Sequence, residues 1–161
     1  QPNTSPVTVR TPSGHDLDVA DPALAAELGA GVRSIKQDRG VFDTMPLALI
    51  TTQTVAGIGT FAGAELDVLR FRPNLVVEAT GGEAFAEDAW VGHVLGIGGM
   101  RMRVDKRDER CVVVNIDPST TQRNEGVLRA IARERQACLG VYGSTVQPGR
   151  VAVGDMVVID D

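Results

Sequence analysis

Aromatic residues are scarce in this chain: one Trp, one Tyr and four Phe, 4% of 161 residues. A core built on stacked rings is therefore excluded, and burial must rest on Val, Leu, Ile and Ala within a hydrophobic content of 43%. Cysteine is scarcer still, with only Cys111 and Cys138. Two cysteines do not make a disulfide scaffold, and both are expected as reduced thiols in a cytoplasmic protein. They are also too few for an iron–sulfur centre. The two histidines, His15 and His93, fall in no grouping with zinc-ligand spacing. Positive charge is in deficit, with 16 Lys and Arg against 21 Asp and Glu, a net charge of −5. Neither nucleic acid nor a membrane surface is expected as a partner on that balance. No apolar run approaches the ~18 residues of a membrane span. Gly96-Ile97-Gly98-Gly99 lacks the lysine of a Walker loop and the third glycine of a dinucleotide fingerprint, and no nucleophile elbow occurs.

What the chain has is turn chemistry. Its 18 Gly and 8 Pro favour many short strands over a helical bundle. The length suits one domain, with residues 1–6 as a lead-in and 7–161 as the folded part. Val7 and Val9, a Pro12-Ser13-Gly14 turn, then Leu17 and Val19 predict a hairpin. Asp21-Pro22 predicts a helix start, with the helix ending at Gly29, and a strand is expected over 32–36. A short helix is expected to begin near Thr51. From Asp67 to Ala79 the residues alternate as in a strand, interrupted or placed at an edge by Pro73. Strands are also expected over 91–95, 100–104, 110–117, 139–146 and 150–159, with a type II turn at Pro148-Gly149. The apolar stripe Val127, Leu128, Ile131 and Ala132 predicts a helix over 124–136. The fold class is mainly β with a few helices, a barrel-like domain.

Three groups of residues have the chemistry of a site. Arg70 and Arg72, at i and i+2 on one face of the expected strand with Asn74 beside them, would suit an anion such as a phosphate. The residue before proline is held extended, which restricts Arg72. The plainer alternative is a solvated face. Cys111, with Arg110 adjacent, would supply a thiolate for a soft metal or a transferable sulfur. The plainer alternative there is a small buried hydrophobe. Asp43, Thr51 and Thr52 surround an expected helix start, where ordinary capping is the alternative. Glu87-Asp88 would orient a ligand or simply end a loop.

Taken together, Asp43-x-x-Pro46-Leu47, Arg70-Phe71-Arg72-Pro73-Asn74, Asp88-x-Trp90, Arg110-Cys111 and Asp117-Pro118 resemble the MOSC domain family. The ending Gly140-Val141-Tyr142-Gly143, Pro148-Gly149 and Val153-Gly154-Asp155 is similar to the close of that domain. The resemblance runs from about residue 7 to the end and implies a β-barrel-like fold that binds the molybdenum cofactor, molybdopterin. It implies Cys111 as catalytic residue and molybdenum ligand, and Arg70, Arg72, Asn74, Asp43, Thr51 and Thr52 around the pterin. Upstream segments usual in such proteins, a basic Pro-x-Lys-Ser type stretch and a Gly-Asp-Arg stretch, are not in the chain, so the domain is expected to be incomplete on its N-terminal side. The activity implied is an oxidoreductase that removes oxygen from N-hydroxylated small molecules with a redox partner. The alternatives are a sulfur-carrier or cofactor-delivery module charged by a cysteine desulfurase, with a persulfide on Cys111, and a non-catalytic binding module.

Overall fold

The computed structural model describes residues 6–35, 42 and 44–160. The chain divides into two compact units, residues 1–41 and 42–161.

The first unit holds the expected hairpin. Strands β1 (Thr8–Arg10) and β2 (Asp16–Asp18) pair antiparallel, with Val9 opposite Leu17. Helix α1 (Pro22–Leu28) starts as expected: the Asp21 carboxylate accepts the Ala23 N–H at 2.8 Å, and Pro22 fills the first turn, where its missing N–H costs nothing. The helix ends at Gly29. The expected strand over 32–36 does not form across 32–35, and Lys36 lies outside the described residues.

The second unit is a mixed six-stranded sheet curled into a half-barrel, with two helices against it. Its elements are β3 (Leu47–Thr51), α2 (Thr52–Ala62), β4 (Leu75–Val77), β5 (Val94–Ile97), β6 (Met100–Glu109), α3 (Gly126–Arg135), β7 (Cys138–Gln147) and β8 (Val157–Asp160). Their order across the sheet is β4-β3-β7-β6-β5-β8. The β3–β4 pair is parallel, and α2 supplies part of the crossover that a parallel pair requires. Every other pair is antiparallel.

Strand β3 is buried on both faces, so its side chains feed two cores in turn. Ile50 joins a cluster with Val55 and Ile58 of α2 and Val127 and Ile131 of α3. Leu49 joins the opposite cluster with Leu95, Met102, Val104 and Val141. On β7, Leu139 and Val141 would share a face of a regular strand, yet they enter different clusters. Between them Gly140 is left-handed at φ 74°, and a Cβ there would come within 2.7 Å of the Leu49 carbonyl oxygen. Only glycine fits that bulge.

Several expectations are corrected here. Residues 67–79 are not one strand: Val68–Phe71 form a 3-10 helical turn, and only Leu75–Val77 pair as β4. The Asp67 carboxylate caps that turn by accepting the Leu69 N–H at 2.9 Å, and Pro73 ends any ladder. Residues 110–117 are not a strand either, since Val112–Asn115 form a second 3-10 turn. Pro148-Gly149 is not a type II turn, because Gly149 does not have the positive φ that turn demands. Glycine is needed at 149 for closeness instead: a Cβ there would sit 1.9 Å from the Gly99 carbonyl oxygen. The strand expected over 150–159 is confined to β8, whereas β6 runs five residues beyond the expected Val104, to Glu109.

The sheet's two edges, β4 and β8, border a cavity of about 1130 Å³ lined by Leu75, Val77, Trp90, Ile97, Val157 and Ile159 among others.

Candidate functional site

The two 3-10 turns abut, and they carry the residues the sequence singled out. Arg70 and Arg72 do not share a face. Arg70 is buried, with Nη2 2.7 Å from Asp117 Oδ2 and Nη1 3.5 Å from the Val114 carbonyl oxygen. Its charge is spent tying the first turn to the second. Arg72 is exposed, and no polar partner of its side chain is found among the described residues. It is not extended as expected before proline. Its backbone is left-handed, φ 50° and ψ 44°, at the end of the 3-10 turn. A non-glycine residue held there stores strain of about 1–2 kcal/mol. Asn74 spends its acceptor within the fold: its Oδ1 accepts the Ala48 N–H at 2.8 Å, and its backbone N–H donates to the Ala48 carbonyl at 2.9 Å. That pair starts the β3–β4 ladder.

Cys111 lies at the head of the second turn and is exposed. The plainer reading, a thiol packed as a small hydrophobe, therefore does not hold for Cys111. Cys138 at the start of β7 is half-buried, and neither cysteine is in a disulfide. Val114 pins the turn to the core, while Val112 and Val113 stay exposed beside Cys111. Asn115 ties the turn to α3, accepting the Leu128 N–H at 2.9 Å. A cleft of about 410 Å³ follows from this arrangement, with Val112, Leu128 and Ala132 among its walls and Arg123 and Arg129 at its rim. Asp117 closes the turn by accepting the Ser119 and Thr120 N–H groups at 3.0 and 2.8 Å. Those N–H groups, with the Arg70 charge, hold its carboxyl below the ordinary 3.8.

Thr51 and Thr52 are separated by burial. Thr51 is sealed, and its N–H and hydroxyl reach Glu87 Oε1 and Oε2 at 3.3 and 3.0 Å. Thr54 donates to the same Glu87 Oε2 at 2.8 Å and accepts the Phe85 N–H at 2.7 Å. Thr52 is exposed in the first turn of α2. Asp43 lies outside the described residues.

Two residues mattered more than their sequence signals promised. Glu87 is fully buried and anchors the N-terminus of α2. Arg110 spans three segments: Nη1 donates to the Phe71 carbonyl and Nε to the Leu139 carbonyl, both at 2.8 Å, and Nη2 lies 2.8 Å from Asp108 Oδ2. Burial pushes its guanidinium below the usual arginine range, and the nearby Asp108 charge opposes that. In sequence Arg110 showed only as the charged neighbour of Cys111, and Glu87 only as half of a carboxylate pair that would orient a ligand or end a loop.

Among the described residues no group of three His, Cys, Asp or Glu could hold a metal. A metal held through Cys111 would therefore have to bring most of its own ligands. The donor set present, one exposed soft thiol with an exposed guanidinium on the abutting turn, fits a sulfur-ligated metal carried by an anionic organic group.

Comparison with known proteins agrees in kind. A "MOSC domain" family model matches residues 36–158. Mitochondrial amidoxime reducing component 2 of Macaca fascicularis is 29% identical over 128 residues, 71% of this chain and 37% of that protein. Component 1 of Homo sapiens is 25% identical over 130 residues, 73% of this chain and 37% of that protein. Molybdenum cofactor sulfurase of Bos taurus is 36% identical over 77 residues, 47% of this chain and 8% of that protein. The chain thus spans well under half the length of these relatives. The crystal structure of YiiM from Geobacillus stearothermophilus shares the fold, with a TM-score of 0.57 at 14% identity over 73% of this chain and 55% of that one. With its curled sheet, its paired 3-10 turns and a family match across most of its length, this chain belongs to the MOSC domain family.

Proposed function

We propose that this domain binds the molybdenum cofactor and reduces N-hydroxylated small molecules by removing their oxygen. The observation that carries the proposal is the exposed Cys111 thiol at the head of a turn locked against the turn that ends in Arg72. The family tie to molybdenum-cofactor proteins supports it. When bound, the cofactor would supply a metal that changes oxidation state by two electrons. The residues of this chain would do the rest. The Cys111 thiolate would hold the metal, and Arg72 would pair with the anionic end of the pterin. Thr52, exposed in the first turn of α2, would add a donor. Arg70, Asn74 and Thr51 are already committed to Asp117, Ala48 and Glu87, so their part is to fix the scaffold. The electrons would come from a separate redox partner.

The test is metal analysis and pterin fluorescence of the chain purified from a molybdate-fed host. Molybdenum and pterin should co-purify, and C111S should lose the metal while keeping its fold. A metal-free and pterin-free wild-type preparation would refute the proposal.

A second reading rests on the same exposed sulfur and on the 36% identity to a sulfurase segment. Here Cys111 carries a persulfide received from a cysteine desulfurase. Mass spectrometry after exposure to such an enzyme and free cysteine should show one added sulfur atom on Cys111 and none in C111S.

A further inference from the structure

We infer that Arg110, set by Asp108, is the positioning residue of the site: one buried guanidinium holds the turn ending in Arg72, the turn beginning at Cys111 and the start of β7 in a single arrangement. Two nitrogens of its fork donate hydrogen bonds to carbonyls, and the third stands in a buried ion pair. Nη1 holds the Phe71 carbonyl, one residue before Arg72, and Nε holds the Leu139 carbonyl, one residue after Cys138. Nη2 lies 2.8 Å from Asp108 on β6, and the cation sits 5.6 Å from the centre of the Phe71 ring. The residue itself immediately precedes Cys111, and its N–H donates to the Ala137 carbonyl at 2.8 Å. Losing this side chain would therefore release the Arg72 loop and the start of β7 from the segment that carries the thiol.

The left-handed Gly140 is part of the same device. A Cβ at that position would meet Arg110 Nη2 at 3.3 Å, so the glycine leaves room for the fork. Lysine would keep the charge but not the planar arrangement of donors that reaches two carbonyls and a carboxylate at once. Arg70 adds an independent tie through Asp117, whereas Arg72 is exposed, with no side-chain partner among the described residues.

The inference concerns the bare chain and does not depend on which cargo Cys111 carries, so it fails or stands apart from cofactor loading. Hydrogen exchange of the intact chain tests it in R110M, R110K and D108N, with I131V as a control matched for thermal midpoint. The amides of 69–74, 111–116 and 138–140 are expected to exchange at least about tenfold faster in R110M, while those of β5 and α2 follow the control. R110K should fall between R110M and wild type in all three segments. If R110M and I131V give the same pattern, Arg110 is an ordinary packing residue and the inference is overturned. If R110M does not fold, D108N decides: selective loosening of the same three segments supports the inference, and a uniform or absent change refutes it.

Discussion

On one face of the six-stranded sheet, α2 and α3 close over Ile50, Ile58, Phe71, Val127 and Ile131, and these five side chains are shut off from solvent. On the other face Leu95, Ile97 and Val157 border the cavity between the edge strands, and Val153 and Met156, in the segment before β8, stand exposed. The closed face holds the directional chemistry: the Glu87 network, the Arg70–Asp117 pair and the Arg110 fork. The open face offers area without direction. A pocket's size is thus a poor guide to where the chemistry of this chain lies. The smaller cleft, not the larger cavity, is the one bordered by the residue next to Cys111.

Mutations should separate the two faces by size of effect. Phe71→Ala empties a fully buried site and takes away the ring beneath Arg110; it should cost about 3–5 kcal/mol, measured by urea unfolding. Glu87→Gln puts an amide N–H₂ where hydroxyl donors now converge, and should cost about 1–3 kcal/mol by the same measurement. Acid should act next, and through Asp117. Its folded-state carboxyl lies below the ordinary 3.8, so its contribution is present above that pH and is lost as the pH falls through the depressed value. D117N should therefore flatten the fall of the urea midpoint between neutral and acid pH, whereas a wild-type slope in D117N would show the pair to be idle. On the open face, Val153→Thr should change stability by no more than about 0.5 kcal/mol. A loss as large as that of E87Q there would erase the contrast.

Much of the frame was legible from local signals. Asp21-Pro22 marked α1, Thr51 capped α2, and the stripe through Val127 and Ile131 marked α3. The alternation of Met100, Met102 and Val104 is kept in β6. The two turns that carry Arg72 and Cys111 were hidden for a physical reason. Residues 69–77 imitate period-two alternation, yet Leu69 is exposed and Phe71 buried, because the Asp67 cap and Pro73 bend the chain before any ladder can form. The carbonyls of Phe71 and Leu139 are satisfied by Arg110, 39 and 29 residues away in sequence, and no local pattern reports such a partner. The same holds within the arginine pair: that the Arg70 guanidinium is spent depends on Asp117, 47 residues away.

The left-handed backbone of Arg72 carries a consequence of its own. Glycine would relax in that conformation, so Arg72→Gly should fold more securely while surrendering the cation that faces solvent. Robustness and grip are therefore in tension at one position. The backbone there favours the smallest side chain, whereas pairing with an anion would need a long cationic one.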